Sequence, residues 1–148
     1  MTNIHVRPAT SADLGSVESL IHRNGLPVDG VAGVIASTII AHANGRPIGC
    51  AALEVYPSGV LLRSVAVDEA WRGRGIGRQL TEAALTLARS KGATAAFLLT
   101  TTAETFFQQF GFTPLSRADV PDDVKQSVEF RYACPSSAVA MRAYLGGA

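Results

Sequence analysis

Between residues 60 and 92 the chain changes its period once, and that change limits the architectures open to it. VLLRSVAV, residues 60–67, is a run of branched apolar side chains of strand length. From Ile76 the apolar residues recur at helical spacing, through Leu80, Ala83, Ala84, Leu87 and Ala88, until Lys91-Gly92 supplies a basic last turn and a glycine stop. Between strand and helix lies Arg72-Gly73-Arg74-Gly75-Ile76-Gly77-Arg78, with glycines at every second position among arginines. Glycines without a Cβ let backbone N–H groups approach an anion, and the helix N-terminus adds partial positive charge.

Spacing decides which anion. A dinucleotide fingerprint counted from Gly73 and Gly75 needs a third glycine where Arg78 stands, and an acidic residue near Leu98. A nucleotide-triphosphate loop needs a Gly-Lys-Ser/Thr ending, which is absent. What remains is R-x-x-G-x-G on Arg72, Gly75 and Gly77, and it suits a diphosphate.

The flanking chain reads as a mixed sheet. IHVR is a short strand, and Thr10 with Asp13 makes a capping-box start to a helix whose stripe is Leu14, Val17, Leu20 and Ile21 and whose stop is Gly25. TIIAHA, the hairpin dipeptide Asn44-Gly45, IGCAALEV, the turn Tyr56-Pro57-Ser58-Gly59 and VLLRSVAV together predict an antiparallel meander over 38–67. TAAFLLT is a buried strand, AETFFQQF a short helix, and Gly111-Phe112 a turn into another strand-like piece. Strand, helix and strand of this length imply a right-handed parallel crossover, so the expected class is α/β or α+β. Cys134-Pro135-Ser136-Ser137 before AVAMRAYL predicts a serine-capped terminal helix.

A length of 148 residues with 47% hydrophobic content is the usual size of one domain, expected to span 1–148. A net charge of +1 gives no general field for nucleic acid or an anionic membrane, so attraction for anions must be local. The N-terminus lacks the apolar core of a signal peptide, and the apolar stretch from Val31 to Ala43 is broken and too short to span a bilayer, so a cytoplasmic protein is expected. Cys50 and Cys134 lack metal-ligand spacing and read as free thiols, and no metal is expected. A homodimer is left open.

The glycine loop, set after a strand and opening a helix, resembles the acyl-CoA pyrophosphate loop of the GNAT superfamily of N-acetyltransferases. The resemblance extends to IHVRPATSADLGSVESLI as first strand and helix, NGRPIGCAALE as third strand, and TTAETFFQQFGF as a last helix ending in Gly-Phe. More narrowly, LLTTTAETFFQQFGF, DVPDDV and EFRYACPSSAVAM look like the acetyltransferases found with arsenic-resistance systems, and LLTTTA is similar to the acetyl-transferring domain of glutamate N-acetyltransferases. It implies a mostly antiparallel sheet flanked by helices, with a parallel strand pair splayed at the cofactor cleft. It also implies acetyl-CoA as donor and a small, amino-acid-like amine as acceptor.

The resemblance assigns the backbone of Val65, Ala66 and Val67 to the pantetheine arm and thioester carbonyl, and residues 72–78 (Arg72, Gly73, Arg74, Gly75, Ile76, Gly77, Arg78) to the diphosphate. Thr101 and Thr102, with Thr100, either bond the pantetheine amides or finish the strand and cap the next helix. Either of two registers across the turn at 56–59 sets Glu54 and Arg63 directly or diagonally adjacent on one sheet face. Glu54 is then a general base or a cross-strand ion-pair partner, and Arg63, in an apolar strand, wants a carboxylate from Glu54 or from substrate. The usual general acid of the family is a tyrosine at the position of Phe107, which cannot give a proton; Phe106 and Phe107 pack as core or line the pantetheine channel. Cys134 is either a proton donor near a helix N-terminus or a small buried residue, and Arg131 holds a substrate carboxylate or a surface partner.

Overall fold

A computed structural model describes residues 3–133 and 137–146. The strands are β1 (Ile4–Pro8), β2 (Thr38–Ala43), β3 (Arg46–Tyr56), β4 (Gly59–Val67), β5 (Ala95–Thr100), β6 (Thr113–Pro114) and β7 (Val139–Tyr144), in the spatial order β1-β2-β3-β4-β5-β7-β6. Every neighbouring pair is antiparallel except β4 and β5, which are parallel. The helices are α1 (Leu14–Arg23), α2 (Ile76–Ser90), α3 (Glu104–Gln108) and α4 (Asp122–Lys125), followed by a π-helical segment (Glu129–Ala133).

Local chemistry accounts for most boundaries. The Asp13 carboxylate accepts from the Thr10 backbone N–H at 2.8 Å, although a 3-10 turn over Ser11–Asp13 precedes α1. Asn44 and Gly45 both take positive φ, the conformation a two-residue hairpin turn demands. On one face α2 and α3 bury Ile76, Leu80 and Phe107 against Leu53, Leu62, Leu98 and Met141 of the sheet. On the other, α1 covers Ile40, Cys50 and Ala66, while Val120 and Val124 cover Leu61, Phe97 and Ala140.

One expected element is different. AVAMRAYL is not a terminal helix: it holds β7, inserted between β5 and β6 and paired with β5 from Ala95↔Tyr144 to Thr100↔Val139. Its alanine, methionine and leucine favour helix, but a full ladder and burial outweigh propensity. Val139, Met141, Ala143 and Leu145 alternate onto the α2 face, a strand period in a helix-forming composition.

The feature that positions the site is a bulge in β4. Pairing with β3 runs Cys50↔Ala66 and then Ala52↔Arg63, so one residue of β3 faces Ser64 and Val65 together. Ser64 takes a left-handed φ of 58° there, strain of the kind that clusters at functional sites. Pairing of β4 with β5 is confined to Val60↔Ala96 and Leu61↔Phe97. Beyond it the two strands line opposite sides of a cavity.

Candidate active site

The cavity measures about 830 Å³. Leu62, Arg63, Ser64, Val65 and Val67 line it from β4, and residues 98–102 from the end of β5. Ala66, expected at the donor site, turns its side chain to the other face, against Cys50 and α1, and is not among the described lining residues.

One end of the cavity is built from backbone. Gly73, Gly75, Ile76, Gly77 and Arg78 line it, and Gly75 is the N-cap of α2, with no side-chain cap. The Gln79 N–H donates to the Gly75 carbonyl at 3.1 Å, so the N–H groups of Ile76, Gly77 and Arg78 precede the first helical bond. Gly73 and Gly75 both have φ of 79°, and a Cβ at either would meet nothing within 4 Å. Glycine is required there by conformation, and the space above it stays open for a ligand. At Gly77 a Cβ would stand 3.4 Å from the Phe106 ring, so that glycine serves close packing.

The arginines of the loop are engaged in holding it. Arg72 donates to the Val67 carbonyl at 2.9 Å and to Asn24 Oδ1 at 2.9 Å. Asp68, bonded by Arg23 and Asn24, anchors the same corner; the Arg23 hydrogen bond holds its carboxyl below the ordinary range against the effect of burial. Arg74 stacks on Trp71 at 4.8 Å, and Arg78 pairs with Glu82 at 3.7 Å and hydrogen-bonds Gln109. Thr100, Thr101 and Thr102 all line the cavity, and Thr100 Oγ1 also accepts from the Ala103 N–H in the turn before α3. Phe106 and Phe107 line it too, Phe107 packing edge to face on Phe106 and Phe112.

The other end is a buried charge cluster. Arg63, 2% exposed, donates from Nη1 to Glu54 at 2.8 Å, from Nη2 to the Pro27 carbonyl at 3.0 Å and from Nε to Ser64 Oγ at 3.0 Å. Its Nε also lies 3.3 Å from the Glu129 carboxylate. Glu54 stands opposite Leu61 while Arg63 stands opposite Ala52, the diagonal arrangement. Tyr56 donates a hydrogen bond to the other oxygen of Glu54; burial first and that carboxylate second push its hydroxyl far above the ordinary tyrosine value.

Arg63 and Glu129 line the cavity, but Glu54 is not among its described lining residues; its carboxylate sits behind Arg63. Glu54 and Arg63 form the cross-strand ion pair, and both are buried. Arg131 is exposed and is likewise absent from the described lining, and Cys134 lies outside the described residues. Cys50 is buried, donates Sγ–H to the Ser64 carbonyl at 3.3 Å, and has its thiol pushed up to about 12, chiefly by burial.

Glu129, the Pro27 carbonyl and Trp71 escaped the sequence reading. Arg63 in an apolar strand signalled the need for a carboxylate, but nothing local points to one so far along the chain. Among the described residues no group of histidine, cysteine, aspartate or glutamate could hold a metal ion, and no helix is long and apolar enough to cross a membrane.

A mostly antiparallel sheet, opened at its parallel strand pair beside a helix N-terminus without a side-chain cap, defines a mixed α/β fold with a cleft through its middle. A family model described as "Acetyltransferase (GNAT) domain" matches residues 35–114, and the chain belongs to that family. An amino-acid acetyltransferase of Mycobacterium tuberculosis (strain ATCC 25618 / H37Rv) is 38% identical over 81 residues, covering 54% of this chain and 46% of that protein. The chain thus spans about half the length of this curated relative. Among solved structures, Rv2747 from Mycobacterium tuberculosis, in complex with CoA and a further ligand, has a TM-score of 0.81 at 26% identity, covering 95% of this chain and 98% of that one. N-acetylglutamate synthase from Neisseria gonorrhoeae, solved with coenzyme A and N-acetyl-glutamate, shares the fold at a TM-score of 0.83 and 20% identity, covering 98% of this chain and 36% of that one.

Proposed function

We propose that the chain forms an N-acetyltransferase domain that uses acetyl-CoA to acetylate the amine of a small, amino-acid-like acceptor. The observation that carries this reading is the uncapped N-terminus of α2 opening onto the cleft between β4 and β5. The CoA-bound neighbour and the amino-acid acetyltransferase relative support it.

The residues present fit the donor. The amides of Ile76, Gly77 and Arg78, with open space above Gly73 and Gly75, would hold the diphosphate, and the bulged backbone at Ser64 and Val65 would hold the pantetheine arm. When bound, acetyl-CoA supplies an activated acetyl thioester. A backbone N–H of the bulged strand, where the β3 ladder is interrupted, would polarise the thioester carbonyl by donating to its oxygen. The walls of the cleft would hold both reactants in one orientation, turning a two-body encounter into a one-body step. Phe107 has no proton to give, so departure of the thiolate would rely on its own acidity or on water. The acceptor sits at the Arg63 end.

The test is thiol release from acetyl-CoA across a panel of small amines, with product identified by mass spectrometry. Turnover with an amino acid or analogue is the expected result. A folded protein that binds acetyl-CoA and acetylates none of them contradicts the proposal, and favours a second reading, suggested by Phe107, of a binding module without catalysis.

A further inference from the structure

One buried guanidinium ties together walls of the cleft that belong to different parts of the chain. From Nε, Arg63 donates to Ser64 Oγ at 3.0 Å, on the bulge that the pantetheine arm is proposed to follow. From Nη2 it donates to the Pro27 carbonyl at 3.0 Å, in the segment after α1 that lines the cavity with Gly25 and Leu26. From Nη1 it donates to Glu54 of β3 at 2.8 Å, and the backbone closes in so tightly that a Cβ at Gly30 would stand 3.4 Å from that nitrogen. The Arg63 side chain has no exposed surface, so its partners are these walls and not a ligand. Glu54, held on its other oxygen by Tyr56, is not among the described lining residues. A planar guanidinium with donors at fixed angles sets the spacing of the groups it joins, which a flexible ammonium cannot do.

We infer that Arg63, with Glu54 behind it, is a positioning residue for acetyl transfer. The two fix the spacing between the β4 bulge, where the thioester lies, and the Pro27 wall, against which the acceptor lies, and neither side chain touches a reactant. Glu54 then carries no proton in the reaction. This inference rests on the proposed acetyltransferase reading. Its consequence is kinetic, because a misplacement of about 1 Å between reactants costs on the order of a hundredfold in rate.

Arg63→Lys keeps the charge beside Glu54 but cannot reach Ser64, Pro27 and Glu54 from one nitrogen. With each of the standard L-amino acids as acceptor at saturating acetyl-CoA, kcat for the best-used one falls about tenfold or more in this variant, and the loss appears in kcat rather than in acetyl-CoA affinity by calorimetry. In Glu54→Gln the pH dependence of kcat keeps its shape and drops by one factor throughout, whereas loss of a general base would remove its low-pH limb. Ser64→Ala cuts only the tie to the bulge, and decides the matter by the same split if the other variants fail to fold. An unchanged kcat in a folded Arg63→Lys or Ser64→Ala protein overturns the inference, as does a loss confined to acetyl-CoA affinity or a low-pH limb abolished by Glu54→Gln. Acetyl-CoA binding without acetylation of any amine by the unmodified protein brings down the acetyltransferase reading and this inference with it; turnover that the variants leave untouched brings down only the inference.

Discussion

The two ends of the cleft are made of different materials. At the loop end the chain offers backbone: consecutive N–H groups at the start of α2, presented by glycines whose left-handed φ other residues resist. At the acceptor end it offers side chains: a guanidinium from β4, one carboxylate from β3 and another from the π-helical segment, buried together. Backbone chemistry suits a ligand part common to a whole family, because it depends on few residue identities. Side-chain chemistry can be changed one residue at a time, so the acceptor end is where this chain can differ from its relatives.

The largest expected effect comes from breaking the acceptor end. Arg63→Met removes the guanidinium shared by Glu54 and Glu129 and should cost about 3–5 kcal/mol of stability, as for other buried ion pairs that lose one partner. Urea denaturation reads it, and a loss below about 1 kcal/mol would mean that the cluster is solvated and weak. Gly75→Val attacks the other end. A Cβ there meets no neighbour, so the strain is that of φ at 79°, about 1–2 kcal/mol. We expect acetyl-CoA affinity by calorimetry to fall about tenfold or more as the loop shifts its amides, a change of about 1.4 kcal/mol. Unchanged affinity would remove the loop from the donor site.

A smaller effect concerns the corner that ties the loop to α1. Asp68 has its carboxyl lowered by Arg23, so its contribution is present above the ordinary aspartate value of about 3.9 and is lost as pH falls through the lower folded value. Acid unfolding followed by circular dichroism should therefore lose part of its pH dependence in Asp68→Asn, and identical acid profiles would contradict the anchoring role. The smallest effect is expected at Cys50. With its thiol pushed up to about 12 by burial, it should resist a thiol reagent at neutral pH in a Cys134→Ser background until the protein unfolds. Rapid labelling of the folded protein would show the β3 core to be open.

The same contrast explains what could be read from the sequence. Hairpin residues Asn44-Gly45, the strand-to-helix change of period and the glycine loop are local signals, and each marks an element found in the fold. β7 was obscured because alanine, methionine and leucine favour helix, while the ladder with β5 that decides its state is not a local property. Arg63 and Glu54 could be joined because they flank one turn. Glu129 could not, since only the packing of the π-helical segment against β4 brings it to Arg63. The bulge at Ser64 gave no sequence signal, because serine has no special preference for positive φ.

The central claim is that the start of α2 and the bulged end of β4 together hold acetyl-CoA. Its most direct test is to follow the backbone amide resonances of the protein during titration with coenzyme A. The account predicts that the largest saturable shifts fall on Ile76, Gly77 and Arg78, with a second group along Ser64 to Val67. Saturable binding that leaves these amides unmoved and shifts others would contradict it.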